Sequence, residues 1–265
     1  MKKNCIIYLL LIALGILNSC VKKTLHDLTE SQLIIEVDWT NLEGDNTVEN
    51  ATINIGEKFI IIEKGEQPEP FYLSLGSYDI YMYNTPPGIL INNEIASISM
   101  NDQGNTIPYD YAFYSISEKL TMLPNLTTKI VLVPEKNTRQ LIINLHYASE
   151  YLIESISGIL FNSASSFNIK SKEEENPGNV ILNLTNYVAA INIFGFVETD
   201  QSLLLEVTLV NDTISWGKTL KNTQNVSEIL KDFNLDKANE LTIDIYLSDD
   251  DLQEDNSENS LKTKG

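Results

Sequence analysis

Apolar and polar side chains alternate one for one along most of this chain. "LIIEVDW" (33–39) sets Leu33, Ile35, Val37 and Trp39 on one face against Ile34, Glu36 and Asp38 on the other. "SYDIYMYN" (77–84) opposes Tyr78, Ile80 and Met82 to Asp79, Tyr81 and Tyr83, and "ELTIDIYL" (240–247) opposes Leu241, Ile243, Ile245 and Leu247 to Thr242, Asp244 and Tyr246. "KIVLVP", "RQLIINLHYA", "NVILNL" and "LLLEVTLV" repeat the pattern. A period of two with β-branched and aromatic enrichment predicts half-buried antiparallel strands. "LEGDN", "TPPG", "NDQGN" and "ENPGN" supply turn residues between them, at the short spacing of a β-sandwich. Helical periodicity is confined to "NVSEILKDF" (225–233). There Val226, Ile229, Leu230 and Phe233 share a face, and Asn225 with Glu228 has capping-box spacing. A single helical turn also fits "YDYAFYS" (109–115). The expectation is an all-β chain with one short helix.

The polar break in "VLVPEKNTRQ" divides the strands into residues 30–134 and 135–248, each of ordinary sandwich size. Beyond them "DDDLQEDNSE" holds six acids in ten residues and one large apolar side chain, so residues 249–265 read as a disordered acidic tail.

The start of the chain follows another rule. Lys2 and Lys3 precede an uncharged apolar run, Cys5 to Leu17, that ends in "LNSC". Thirteen residues are short for a membrane span, which needs roughly 20, and fit the apolar region of an export signal. Leu17 at −3, Ser19 at −1 and Cys20 resemble the lipobox of bacterial lipoproteins. That resemblance implies a signal peptide over 1–19 and acylation of Cys20. Residues 20–29 would form a lipid-anchored tether, with the membrane as a partner through that lipid. A plain signal peptide or an uncleaved helix is the alternative. Cys5 leaves with the signal, so the mature chain has no thiol for a disulfide, and its folding rests on its core.

Charge narrows the partners. The chain carries a net −19, and removing residues 1–19 takes two lysines and no acid, leaving −21. Such a field repels nucleic acid and argues for no nucleic-acid partner. Catalytic chemistry finds little footing. Only His26 and His146 are available, with no HExxH, no Cys/His cluster, no GxSxG and no phosphate-binding glycine loop. No enzymatic activity and no cofactor are expected. Tyr81 and Tyr83 on one strand face, and Trp216 in "NDTISWGK", are candidate stacking surfaces for sugar rings, weighed against ordinary strand packing. "DTI" (212–214) matches the short Asp-Ser/Thr-aliphatic pattern of O-glycosylation in Bacteroidota, with Thr213 as the acceptor.

The order of these features resembles a known family. "LIIEVDW" follows the lipobox cysteine, and "FYLSLGSYDIYMYN" holds a Gly-x-Tyr turn opening a strand that ends in Asn. "ESISGILFNSASSF", "YVAAINIFGFVE" and "LLLEVTLVNDTISWGKTL" follow. Over residues 31–247 the chain looks like the fimbrillin-associated anchor lipoproteins of Bacteroidota and their relatives. The resemblance implies two tandem antiparallel β-sandwich domains of transthyretin-like type on an outer-membrane lipid anchor. It also implies fimbrial subunits as partners, bound by strand complementation. The acidic C-terminal tail offers no strand to donate, which suits a subunit that accepts one. Surface-exported lipoproteins of these bacteria often carry acids after the cysteine; here Val21, Lys22 and Lys23 follow it, leaving surface and periplasmic display both open. A glycan-binding surface lipoprotein is the alternative function.

Overall fold

The computed structural model describes residues 29–109, 111–148, 152–197, 200–210, 217–235 and 239–254. These residues form two compact units. The first comprises 29–43, 49–82 and 116–134, and the second comprises 44–48, 83–115 and the chain from 135 onward.

The first unit is built from β1 (Glu30–Val37), β2 (Asn50–Ile55), β3 (Lys58–Glu63), β4 (Phe71–Ser74) and β5 (Gly76–Tyr83). After a hairpin of β6 (Ile89–Asn92) and β7 (Ile95–Ile98), which belongs to the second unit, β8 (Tyr114–Met122) and β9 (Thr128–Leu132) complete it. Its strands lie in two sheets, β4-β1-β9 and β8-β5-β2-β3. The alternation read from "LIIEVDW" holds, since Leu33, Ile35, Val37 and Trp39 are all buried. Ala51, Ile53 and Ile55 of β2 and Ile80 and Met82 of β5 are buried as well. β4 is too short to cover β1 and pairs only Glu30 to Leu33. Further along, the Gln67 side chain replaces a strand: its Oε1 accepts from Val37 N (2.7 Å) and its Nε2 donates to Val37 O (2.8 Å). Both polar backbone groups of a buried residue are thereby satisfied.

The second unit continues with β10 (Glu135–Lys136), which pairs β8 at Tyr114 and Ser115. Then come β11 (Arg139–Ala148), β12 (Leu152–Asn168), β13 (Glu173–Asn183), β14 (Val188–Ile193), β15 (Ser202–Val210) and β16 (Gly217–Asn225). Helix α1 (Ser227–Leu230), β17 (Leu241–Ser248) and β18 (Gln253–Glu254) close it. Its sheets are β14-β11-β17 and a larger one in the order β18-β16-β15-β12-β7-β6, with β13 also paired to β12. Strand for strand this repeats the first unit: β11 to β17 stand in the places of β1 to β5, β8 and β9. One core gathers Leu141, Ile143 and Leu145 of the small sheet with Leu160, Leu182, Leu203 and Leu205 of the large one. A second cluster is aromatic, with Phe113 and Phe167 each 5.7 Å from Phe194.

The all-β sandwich expectation holds, and four local readings change. First, β1 pairs β9, and β11 pairs β17, in parallel. Alternation reports which face is buried and is blind to strand direction. Second, "ENPGN" is no turn but part of β13, with Pro177 opposite Ala164 and Asn176 at φ 55. β13 tolerates the proline because the β12–β13 register shifts between Leu160 and Ser163. Third, α1 has four residues. Asn225 Oδ1 accepts from Ser227 N (2.9 Å), Val226, Leu230 and Phe233 are buried, and Ile229 is exposed. Among the described residues of "YDYAFYS" there is no helix; Tyr109, Ala112, Phe113 and Tyr114 are buried in extended chain and loop. Fourth, residues 249–254 of the predicted tail are ordered. Asp249–Asp251 forms a 3-10 turn and β18 pairs Gln253 with Lys221 and Glu254 with Leu220. Residues 255–265 lie outside the described residues.

Candidate functional site

The small sheet of the second unit turns one face to solvent. On β11, Leu141, Ile143 and Leu145 point inward, so Asn144 and His146 point out; on β17, Ile243, Ile245 and Leu247 point inward, so Asp244 and Tyr246 point out. The parallel register sets Asn144 beside Asp244 and His146 beside Tyr246. Residues a hundred positions apart in the chain thus become neighbours on one face.

Asp244 Oδ1 lies 2.9 Å from His146 Nε2 and accepts from Asn144 Nδ2 at 3.2 Å. The His146 hydrogen bond, followed by that of Asn144, holds the Asp244 carboxyl below its usual range. With His146 fixed by this contact, the Tyr246 ring stacks on the imidazole, 4.5 Å between centroids and 11° between planes. Tyr246 nevertheless keeps 70% of its surface open. Where the strands end, Asp251 Oδ2 accepts from Ser248 N and Ser248 Oγ, each at 2.7 Å, and both bonds lower its carboxyl. His146, Tyr147, Tyr246, Leu247, Ser248 and Asp251 line an open hollow of about 520 Å³.

An exposed ring braced from behind, flanked by two ionised carboxylates and an amide, suits stacking and hydrogen bonding to a polyhydroxylated ring. Both carboxylates are already hydrogen-bonded within the protein, Asp244 to His146 and Asn144, and Asp251 to Ser248. Among the described residues no group of three or more His, Cys, Asp or Glu side chains is arranged for a metal ion.

The residues singled out from the sequence are not brought together here. Tyr81 is half-buried on β5. Tyr83 is 8% exposed, and burial raises its phenol. The two tyrosines therefore form no open sugar platform, which corrects that expectation. Met82, Tyr83 and Asn84 are all buried, so both faces of β5 are covered at its end, where Asn84 Nδ2 donates to Ala112 O and its Oδ1 accepts from Tyr114 N. Trp216, Thr213 and Cys20 lie outside the described residues. Alternation placed His146 and Tyr246 on outward faces, but nothing local announced that the two would meet.

A second feature is an edge. β3 ends the larger sheet of the first unit, and its Phe59 and Ile61 are 65% and 73% exposed. Lys58 Nζ donates to Tyr72 O (3.0 Å) and stands 4.9 Å from the centre of the Phe71 ring. An apolar edge strand carrying one lysine is lightly guarded against pairing with another chain.

No protein-family model matches the sequence, and no curated protein matches it. Solved structures do match in shape. A candidate adhesin from Bacteroides ovatus superposes with a TM-score of 0.62 at 12% identity, over 84% of this chain and 91% of that one. The fimbrial anchor protein Mfa2 from Porphyromonas gingivalis gives 0.52 at 8% identity, over 83% and 90%. The chain has the fold of Bacteroidota adhesins and a fimbrial anchor. A candidate polysaccharide-binding protein from Bacteroides thetaiotaomicron shares it, with a TM-score of 0.52 at 7% identity over 87% of this chain and 99% of that one. At such identities the shared property is the backbone path, and what it carries must come from this chain's own residues.

Proposed function

We propose that this protein is a non-catalytic component of the cell envelope, held at the outer membrane by acyl chains on Cys20, that serves fimbrial anchoring or assembly by binding fimbrial subunits. The observation that carries this reading is the match of both units, over more than four-fifths of each chain, to a fimbrial anchor and to an adhesin. The exposed edge of β3 supports a strand-pairing contact, in which main-chain hydrogen bonds supply affinity and the flanking side chains supply specificity. Deleting the gene in its native host and counting filaments by negative-stain electron microscopy tests it. Filaments that lengthen and shed into the medium support anchoring; filaments unchanged in number, length and attachment overturn it.

The Tyr246–His146 hollow favours a second reading, a saccharide-binding lipoprotein, in which Tyr246 takes the stacking role expected of Tyr81, Tyr83 or Trp216. Retardation in glycan affinity gels that vanishes in Tyr246→Ala supports it. Wild-type protein that migrates freely through a broad glycan panel removes it. Thr213 as an O-glycan acceptor belongs to the same proposal, and intact-mass analysis of native protein decides it.

A further inference from the structure

Several pieces of backbone meet where β1 begins. β1 is antiparallel to β4, with Glu30 opposite Ser74, and parallel to β9, with Leu33 opposite Thr128. The end at which the chain enters the first unit is therefore also the end that carries the β4–β5 and β8–β9 turns. Hydrogen bonds fix the arrangement. Leu75 N donates to Thr29 O (3.0 Å), Ser31 Oγ donates to Leu123 O, and Thr127 Oγ1 donates to Gln32 Oε1 (3.4 Å).

The β8–β9 turn has an unusual surface for a turn. Asn125 adopts φ 59, a left-handed conformation that asparagine tolerates better than most residues. On either side of it Leu123 and Leu126 are 50% and 53% exposed. Residues 121–128, "TMLPNLTT", carry no charge, in a chain whose net charge is −19. Turn tips in water are ordinarily polar. Two exposed leucines on an uncharged tip call for an apolar neighbour.

The chain's own connection names that neighbour. Cys20 and Thr29 are nine residues apart, a reach of about 32 Å at full extension. If Cys20 is acylated, as the reading above has it, the turn beside Thr29 stays within that distance of the bilayer. We propose that Leu123 and Leu126 seat in the boundary between headgroups and acyl chains, giving the protein a second membrane contact beside its lipid. The contact is apolar rather than electrostatic. Glu30 and Glu57 stand at the same end of the unit and exclude a purely charge-driven approach. The inference rests on acylation of Cys20, and its test separates the two.

Acylation consumes the Cys20 thiol, so Leu126→Cys gives the mature chain one free thiol for an environment-sensitive nitrobenzoxadiazole label. Glu43→Cys, exposed beyond the far end of β1, is the control. Full-length protein purified from membranes is placed in phosphatidylethanolamine–phosphatidylglycerol vesicles containing doxyl-labelled phosphatidylcholine. The label at 126 is expected to shift to the blue and to be quenched at least about twofold more than the label at 43. Co-flotation with the vesicles, together with equal water-like emission at both positions, overturns the membrane contact and leaves the anchor standing. Labelling of Cys20 itself, or failure to float, overturns acylation and the membrane contact with it.

Discussion

Arg139, the chain's one arginine, is the most exacting test of how the second unit is held together. It sits at the start of β11, 8% exposed, and reaches across to the segment after α1. Its Nε donates to Asn239 O (2.7 Å) and its Nη1 to Phe233 O (3.0 Å), while the guanidinium lies 4.9 Å from the centre of the Phe233 ring. Hydrogen bonds from a charged donor contribute about 1.5–3 kcal/mol each and a desolvated cation–π contact about 1–2 kcal/mol. Against this stands the cost of burying the charge, several kcal/mol. Arg139→Met keeps the aliphatic packing and removes that burial cost, but leaves two carbonyls without donors at about 1–3 kcal/mol each. The expected net loss is about 3 kcal/mol, or roughly 10 °C in the melting temperature of a domain of this size. Arg139→Lys keeps the charge but loses the planar fork and reaches one carbonyl, for about half that loss. Scanning calorimetry on wild type and both variants measures it. A methionine variant within about 1 kcal/mol of wild type, or a lysine variant as damaged as the methionine one, refutes the assignment of that stability to these two bonds.

Other consequences are as direct. Gly195→Ala sets a Cβ 2.3 Å from Asn234 Oδ1 at φ +149, displacing the side chain that bonds both Phe196 N and Phe196 O; urea unfolding is expected to show a loss of about 2–4 kcal/mol. The Tyr109 hydroxyl is buried with no hydrogen-bond partner among the described residues, and burial pushes its ionisation well above the usual tyrosine range, so Tyr109→Phe is expected to leave stability unchanged or raise it by up to about 1 kcal/mol. Because the folded Asp244 carboxyl is depressed, its stabilising contribution is present above the unfolded value of about 3.9 and is lost as pH falls through the lower folded value. A carboxyl-carbon titration by NMR should see the Asp244 midpoint rise in His146→Ala; an unmoved midpoint removes His146 as the cause.

Local alternation revealed the faces of strands faithfully. "LIIEVDW" and "ELTIDIYL" place buried and outward side chains where the structure has them, because each strand has one face on a core and one in water. Partners chosen over long distances left no such trace. The pairing of β11 with β17 joins residues a hundred apart, and with it came the Asp244–His146–Tyr246 cluster. Tyr83 departs from the pattern because period two assumes that one side of a strand stays open, whereas Met82 and Tyr83, on opposite faces at the end of β5, are both buried. "ENPGN" misled because proline and glycine also mark bulged strands, and only the register with β12 tells the two apart.

The parallel pairing of first and last strands has a mechanical meaning. β1 and β9, the first and last strands of the first unit, are bonded alongside each other from Leu33 to Leu132, and β11 and β17, which open and close the matching seven-strand repeat in the second, from Leu141 to Ser248. Parallel neighbours start at the same end, so tension between the entry of the first strand and the exit of the last slides them past each other along their length. The rungs of the ladder are then strained together instead of being peeled apart one at a time. A domain strung between a membrane and a pulled filament would yield late under such a load, without a disulfide to brace it. Single-molecule stretching from the ends of the first unit should therefore record a rupture force well above that of the same unit pulled across β2 and β3, whose antiparallel hairpin unzips from its open side.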